Sequence, residues 1–144
     1  MEDLYIRYIH FLGIILLSAT LFYELISFSR TLTNAQLKKL LWVDALLGIS
    51  AVIVLISGGL LWGSFGKPSE FYTKNPIFHI KLTIFFLIAI ISIFPTWFLL
   101  KNRKSTEAVI STPSYVLYII KVEAALLIAI PLLAVLMARG IGLA

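Results

Sequence analysis

The chain has 144 residues, of which 60% are hydrophobic and 13% charged, whereas a water-soluble domain carries about a quarter charged residues. With a mean hydropathy of +1.01, this composition excludes a soluble globular fold and a disordered chain, and leaves an integral membrane protein. The absence of cysteine excludes disulfide scaffolds, zinc–thiolate sites, iron–sulfur clusters and thiol nucleophiles, and a net charge of +5 set between apolar runs suits anionic lipid headgroups and topology better than nucleic acid.

Four segments reach the about 20 apolar residues that a spanning helix needs: about 4–28, 40–62, 76–100 and 114–137. They are continuous runs without the alternation of membrane strands. Short loops join them, so the expected fold is an all-α integral membrane protein, an antiparallel up-and-down bundle of four transmembrane helices with residues 1–144 as one transmembrane domain.

The first span follows an acidic start, Glu2-Asp3, and is too long for the apolar core of a cleaved signal. Arg7 and His10 lie in its early turns and Glu24 near its far end. At about 100° per residue, His10 and Glu24 share one face, with Gly13 and Leu17 near the same line. The first loop carries Arg30, Lys38 and Lys39. On the second span, Asp44, Gly48, Ala51, Leu55 and Gly58 are expected on one buried face. Small residues there permit close helix approach, and Gly58-Gly59 offers a homodimer contact.

The stretch Gly66–Pro76 reads as a cap over the outer mouth or as an interfacial loop. On the third span, His79 and Lys81 point roughly opposite ways, and Lys81 shares a face with Ser92, Pro95 and Thr96. The third loop carries Lys101, Arg103 and Lys104. On the fourth span, Glu123 aligns with Leu127, Ile130 and Ala134, while Lys121 points about 160° away and snorkels toward an interface. Pro131 predicts a kink.

Loops one and three hold six basic residues against four on the other side: Arg7, Lys67, Lys74 and Arg139. The positive-inside rule then places loops 29–39 and 101–113 in the cytoplasm and both termini in the periplasm of a bacterial inner membrane. Trp42, Trp62 and Trp97 sit near span ends, as interfacial anchors do.

A charge in hydrocarbon costs about 2.5–3.5 kcal/mol on insertion scales, so the ionisable residues within the spans need a reason. By depth they form an outer group, Arg7, His10, His79 and Lys81, and an inner group, Glu24, Asp44, Lys121 and Glu123. Three functions use them. In the first, His10 and His79 ligate one b-type haem whose propionates meet Arg7 or Lys81, with Gly13 making room for the macrocycle. In the second, His10, Glu24, Asp44 and Glu123 form a route for protons or a metal cation. Copper(II) suits the imidazole of His10, and scarce methionine argues against a thioether copper(I) relay. In the third, the charges pair, for instance Asp44 or Glu24 with Lys121 or Lys81, and the protein is an accessory subunit without chemistry.

The run Asp44-Ala-Leu-Leu-Gly48-Ile-Ser-Ala51, then Ser57-Gly58-Gly59-Leu60, Gly66-Lys67, Glu70-Phe71-Tyr72, Asn75-Pro76-Ile77-Phe78, Lys81-Leu82 and Ser92-Ile93-Phe94-Pro95-Thr96 resembles an uncharacterised group of small bacterial membrane proteins, domain of unknown function 2214. More distantly, His10 followed by Leu21-Phe22-Tyr23, with Lys81, is similar to the HemJ-type protoporphyrinogen oxidases. That likeness implies a haem-binding bundle. A CopD-like copper-transport domain is a comparable likeness. These resemblances make a haem- or porphyrin-associated redox protein the leading expectation, with metal-ion or proton transport as the alternative.

Overall fold

The fold follows from four apolar helices that satisfy their own backbone hydrogen bonds, as a chain in lipid must. In the computed structural model, which describes residues 2–65, 70 and 73–141, the candidate spans are Glu2–Ser27, Asn34–Gly63, Pro76–Asn102 and Ser114–Ala138. Each lies within a few residues of the expected span, except that the second begins earlier. Helix α1 is Glu2–Ser27 and α2 is Asn34–Leu60, which continues into a π-helical turn, Leu61–Phe65. Helix α3 is Pro76–Ile91, α4 is Ile93–Asn102 and α5 is Ser114–Ala138. Helix α1 packs along α2 and against α5, α5 packs against α3 and α4, and α4 closes the ring on α2. Large apolar side chains such as Phe11, Ile26, Ile49, Ile90 and Leu132 are exposed around the outside, which is the surface lipid would cover.

Local chemistry sets the helix ends. Thr33 and Gln36 form a capping box: the Gln36 amide donates to Thr33 Oγ1 at 3.2 Å, and the Thr33 amide donates to Gln36 Oε1 at 2.9 Å. Asn75 caps α3 by accepting from the Ile77 amide at 2.9 Å, with Pro76 at the first helical position. Asn75 Nδ2 also donates to the Ile141 carbonyl at 3.1 Å, tying α3 to the segment after α5.

Two features depart from the expected fold. The third span is broken at Ser92 into α3 and α4. Pro95 has no N–H to offer the Ile91 carbonyl, and its ring crowds that carbonyl, so the helix restarts there. Helix α5, by contrast, runs through Pro131 from Ser114 to Ala138. Second, loops one and three contain strands: β1, Thr31–Thr33, pairs antiparallel with β2, Val109–Ser111, with Leu32 opposite Ile110. Both central residues point inward, Leu32 fully buried and Ile110 nearly so. The ribbon fastens the two basic loops together at one end of the bundle. Of the expected cap over the other end, Gly66 to Ser69, Phe71 and Tyr72 lie outside the described residues. Glu70 and Lys74 form an exposed pair at 3.5 Å.

The interior is layered, and all four walls agree on the order. Nearest the ribbon is an apolar layer that includes Phe28, Leu40, Phe98, Leu99 and Ile120. Next comes a polar layer of Glu24, Asp44, Thr96 and Glu123. A second apolar layer follows, Leu17, Leu21, Leu47, Ile88 and Leu127. Beyond it lie His10, Ser57 and Lys81.

Candidate functional site

The polar layer brings three carboxyl groups together from three helices. Glu24 is 1% exposed, Asp44 7% and Glu123 1%. Asp44 is central: it lies within side-chain hydrogen-bonding reach of Glu24 and close enough to Glu123 for their charges to interact. Glu24 Oε1 and both carboxyl oxygens of Glu123 have no hydrogen-bond partner. Among the described residues the ion pairs are Arg7–Asp3 and Lys74–Glu70, so no basic side chain pairs with any of the three. The expected pairing of Asp44 or Glu24 with Lys121 or Lys81 is therefore not formed. Lys121 is exposed on the other side of α5 from Glu123, as the helical phase requires, and Lys81 lies two layers away.

Thr96 completes the layer. Its Oγ1 is 2.7 Å from Asp44 Oδ2 and 3.0 Å from the Ser92 carbonyl. A hydroxyl has one proton to give. When it goes to Asp44, the Ser92 carbonyl keeps only the Thr96 amide, at 3.3 Å. Other buried hydroxyls fold back on their own helix: Thr20 donates to the Leu16 carbonyl at 2.8 Å, and Ser50 donates to that of Leu46.

The second polar station lies toward the chain termini. His10 Nδ1 is 2.8 Å from Ser57 Oγ, which is itself 2.6 Å from the Ile53 carbonyl. The shorter contact takes the Ser57 proton, so Ser57 accepts from His10 Nδ1–H, a tautomer assigned from this network. The lone pair of His10 then sits on Nε2. Lys81, half-buried, is close enough for its charge to act on His10, and its Nζ lies 5.9 Å from the centre of the Phe78 ring. Gly58 lets the imidazole pass: a Cβ there would stand 3.2 Å from His10 Cε1.

The remaining expected residues fall elsewhere. Arg7 is paired with Asp3 at 3.7 Å, both partly exposed. His79 is exposed, and its Nε2–H donates to the Thr73 carbonyl at 2.7 Å. His10 and His79 thus do not converge, and a bis-histidine haem does not fit this arrangement. Nor does Gly13 open room for a macrocycle between α1 and α2, since Ile53 and Val54 methyl groups come within 3.0 Å of where its Cβ would be. The expected face of α2 also needs correction. Asp44 is buried, but Gly48 and Leu55 are exposed, and the inward line is Asp44, Leu47, Ser50 and Ser57. Steps of three residues keep pace with the interior here, whereas the four-residue step to Gly48 drifts outward. Gly58 faces His10, so a dimer contact at Gly58-Gly59 cannot use it. Gly59 has nothing within 4 Å of its Cβ position.

Sequence reasoning placed Glu24, Asp44 and Glu123 at one depth but did not single out Thr96 or Ser57 for a role. Pro95 was the available signal for Thr96, since a helix broken at its fourth preceding residue frees nearby groups to bond elsewhere.

A family model described as a predicted membrane protein, DUF2214, matches residues 2–142. No curated protein and no solved structure matches.

Proposed function

The chain belongs to DUF2214, a family of predicted membrane proteins, and on that footing we propose that it handles protons, as a small proton-transport protein whose working group is the Glu24–Asp44–Glu123 layer. One observation carries this reading: three buried carboxyl groups face one another, with three unpartnered oxygens and no basic partner. A buried charge without compensation is costly. The layer is therefore held neutral by bound positive charge, and protons or a small cation are the candidates. Buried carboxyl groups are neutralised by protons alone, with no coordination geometry to satisfy, so we favour the proton. Apolar layers close the carboxyl group off on both sides, so proton exchange requires one of them to open. His10, held by Ser57, stands beyond the farther layer as a second proton-accepting group.

In the same reading the protein is a multi-pass protein of a bacterial inner membrane. The ribbon and loops 29–39 and 101–113 lie in the cytoplasm, and both termini lie in the periplasm, from the balance of loop charges.

The test is a flux measurement. Wild-type protein in proteoliposomes with an internal pH-sensitive dye is expected to dissipate an imposed pH gradient. Glu24→Gln, Asp44→Asn and Glu123→Gln are each expected to slow it at least about tenfold, a barrier change of about 1.4 kcal/mol. Equal flux in the triple variant, or no flux in the wild type, rejects the proposal. A layer that serves only packing would instead show no flux and altered stability in these variants.

A second reading is a haem or porphyrin held through His10 alone. It is favoured by the anchoring of Nδ1 on Ser57, which leaves Nε2 for a ligand, as second-shell bonds do for metal-bound histidines. Lys81 would supply a cation for a propionate. A Soret band that is lost in His10→Ala supports it, and protein that stays colourless after haem is supplied rejects it.

A further inference from the structure

We infer that Thr96 latches α4 to the carboxyl layer, so that a proton on Asp44 controls the apolar layer on the ribbon side. The inference rests on the proton-handling reading and adds which layer opens and through which residue.

Helix α4 is a separate ten-residue piece. It begins at Ile93, just after the break at Ser92, and no side chain caps its first turn. Its inner face carries Phe98 and Leu99, 5% and 0% exposed, into the layer between the carboxyl groups and the ribbon. Among the described residues, the only side-chain hydrogen bond joining α4 to α2 is that of Thr96 to Asp44. The same hydroxyl lies within reach of the Ser92 carbonyl, at the break itself.

The single proton of Thr96 makes these two contacts exclusive as donors. With Asp44 ionised, Thr96 donates to Oδ2 and α4 is held to α2 by a charge-assisted bond. With Asp44 protonated and its carboxyl O–H donating to Thr96 Oγ1, the Thr96 hydroxyl turns and donates to the Ser92 carbonyl instead. The bond to α2 becomes a weaker neutral one, and the first turn of α4 gains a hydrogen bond. The proton thereby shifts α4, and with it Phe98 and Leu99. The titratable groups facing Asp44 are Glu24 from α1 and Glu123 from α5. Thr96, facing it from α4, does not titrate.

Trp97, next to Thr96 and 55% exposed, reports the position of α4. In a Trp42→Phe, Trp62→Phe background in nanodiscs, its emission is expected to change with pH. The change is expected to vanish in Thr96→Val and return in Thr96→Ser, which restores the hydroxyl. In Asp44→Asn it is expected to lose its dependence on pH, because the amide carries no proton that comes and goes. Emission that does not respond to pH in the parent, or responds equally in Thr96→Val, overturns the latch. Flux measured alongside separates the two ideas. Flux that survives with a silent Trp97 removes the latch alone, whereas a responsive Trp97 without flux supports the latch and removes transport.

Discussion

At the residue scale, the buried carboxyl groups carry a stability cost. Both oxygens of Glu123 are buried without a partner, and each unsatisfied polar group costs about 1–3 kcal/mol. Glu123→Met, which keeps the length and removes the polar atoms, is expected to raise stability by about 1–3 kcal/mol in thermal melts of the detergent-solubilised protein while abolishing flux. A drop in stability would mean that the carboxyl holds a structural partner. Glycines divide in the same way. Gly13→Ala sets a methyl 3.0 Å from Ile53 and Val54 and is expected to cost about 1–3 kcal/mol. Gly59→Ala meets nothing within 4 Å and is expected to stabilise the helix by about 0.5–1 kcal/mol. The same melts read both.

At the element scale, two short irregularities organise the bundle. Pro95 breaks the third span and gives α4 its own register against α2, which is what aims Thr96 at Asp44. The ribbon β1–β2 joins loops that are far apart in sequence, with Thr31 opposite Ser111. Directly opposed strand residues have the Cβ spacing a disulfide needs, and the chain has no other cysteine. Thr31→Cys with Ser111→Cys is therefore expected to oxidise to an intramolecular disulfide, seen as a mobility shift on a non-reducing gel. A pair that forms only intermolecular dimers would contradict the ribbon. The strands are three residues each, too short for an alternating pattern to stand out from a loop, and their pairing partner is non-local.

At the scale of the whole molecule, the order of layers matters more than any one side chain. The carboxyl groups lie between two apolar layers, so the described state is closed at that depth. The ribbon lies at one end and Arg139, exposed, follows α5 at the other. Thr31→Cys and Arg139→Cys are expected to react with an impermeant maleimide from opposite sides of the membrane: Arg139→Cys in intact cells, and Thr31→Cys only in inverted vesicles. Labelling of both from one side would contradict the four-span topology, and the reverse pattern would invert the orientation.

The sequence by itself determined the membrane class, the four spans and the inward phase of α1, because hydrophobic run length and helical period are local properties. His10, Gly13, Leu17 and Glu24 could be aligned by counting alone. It also placed Glu24, Asp44 and Glu123 at a common depth, since depth follows from position along a span of known direction. Only the tertiary structure decided that these three face one another without a basic side chain among the described residues to pair with them, that His79 turns outward while Lys81 turns toward His10, and that Thr96 completes the layer. Those outcomes depend on how each helix is rotated against its neighbours. A rotation of a few tens of degrees, such as separated the expected face of α2 from the real one, moves a side chain between lipid and interior without changing the hydropathy of the span.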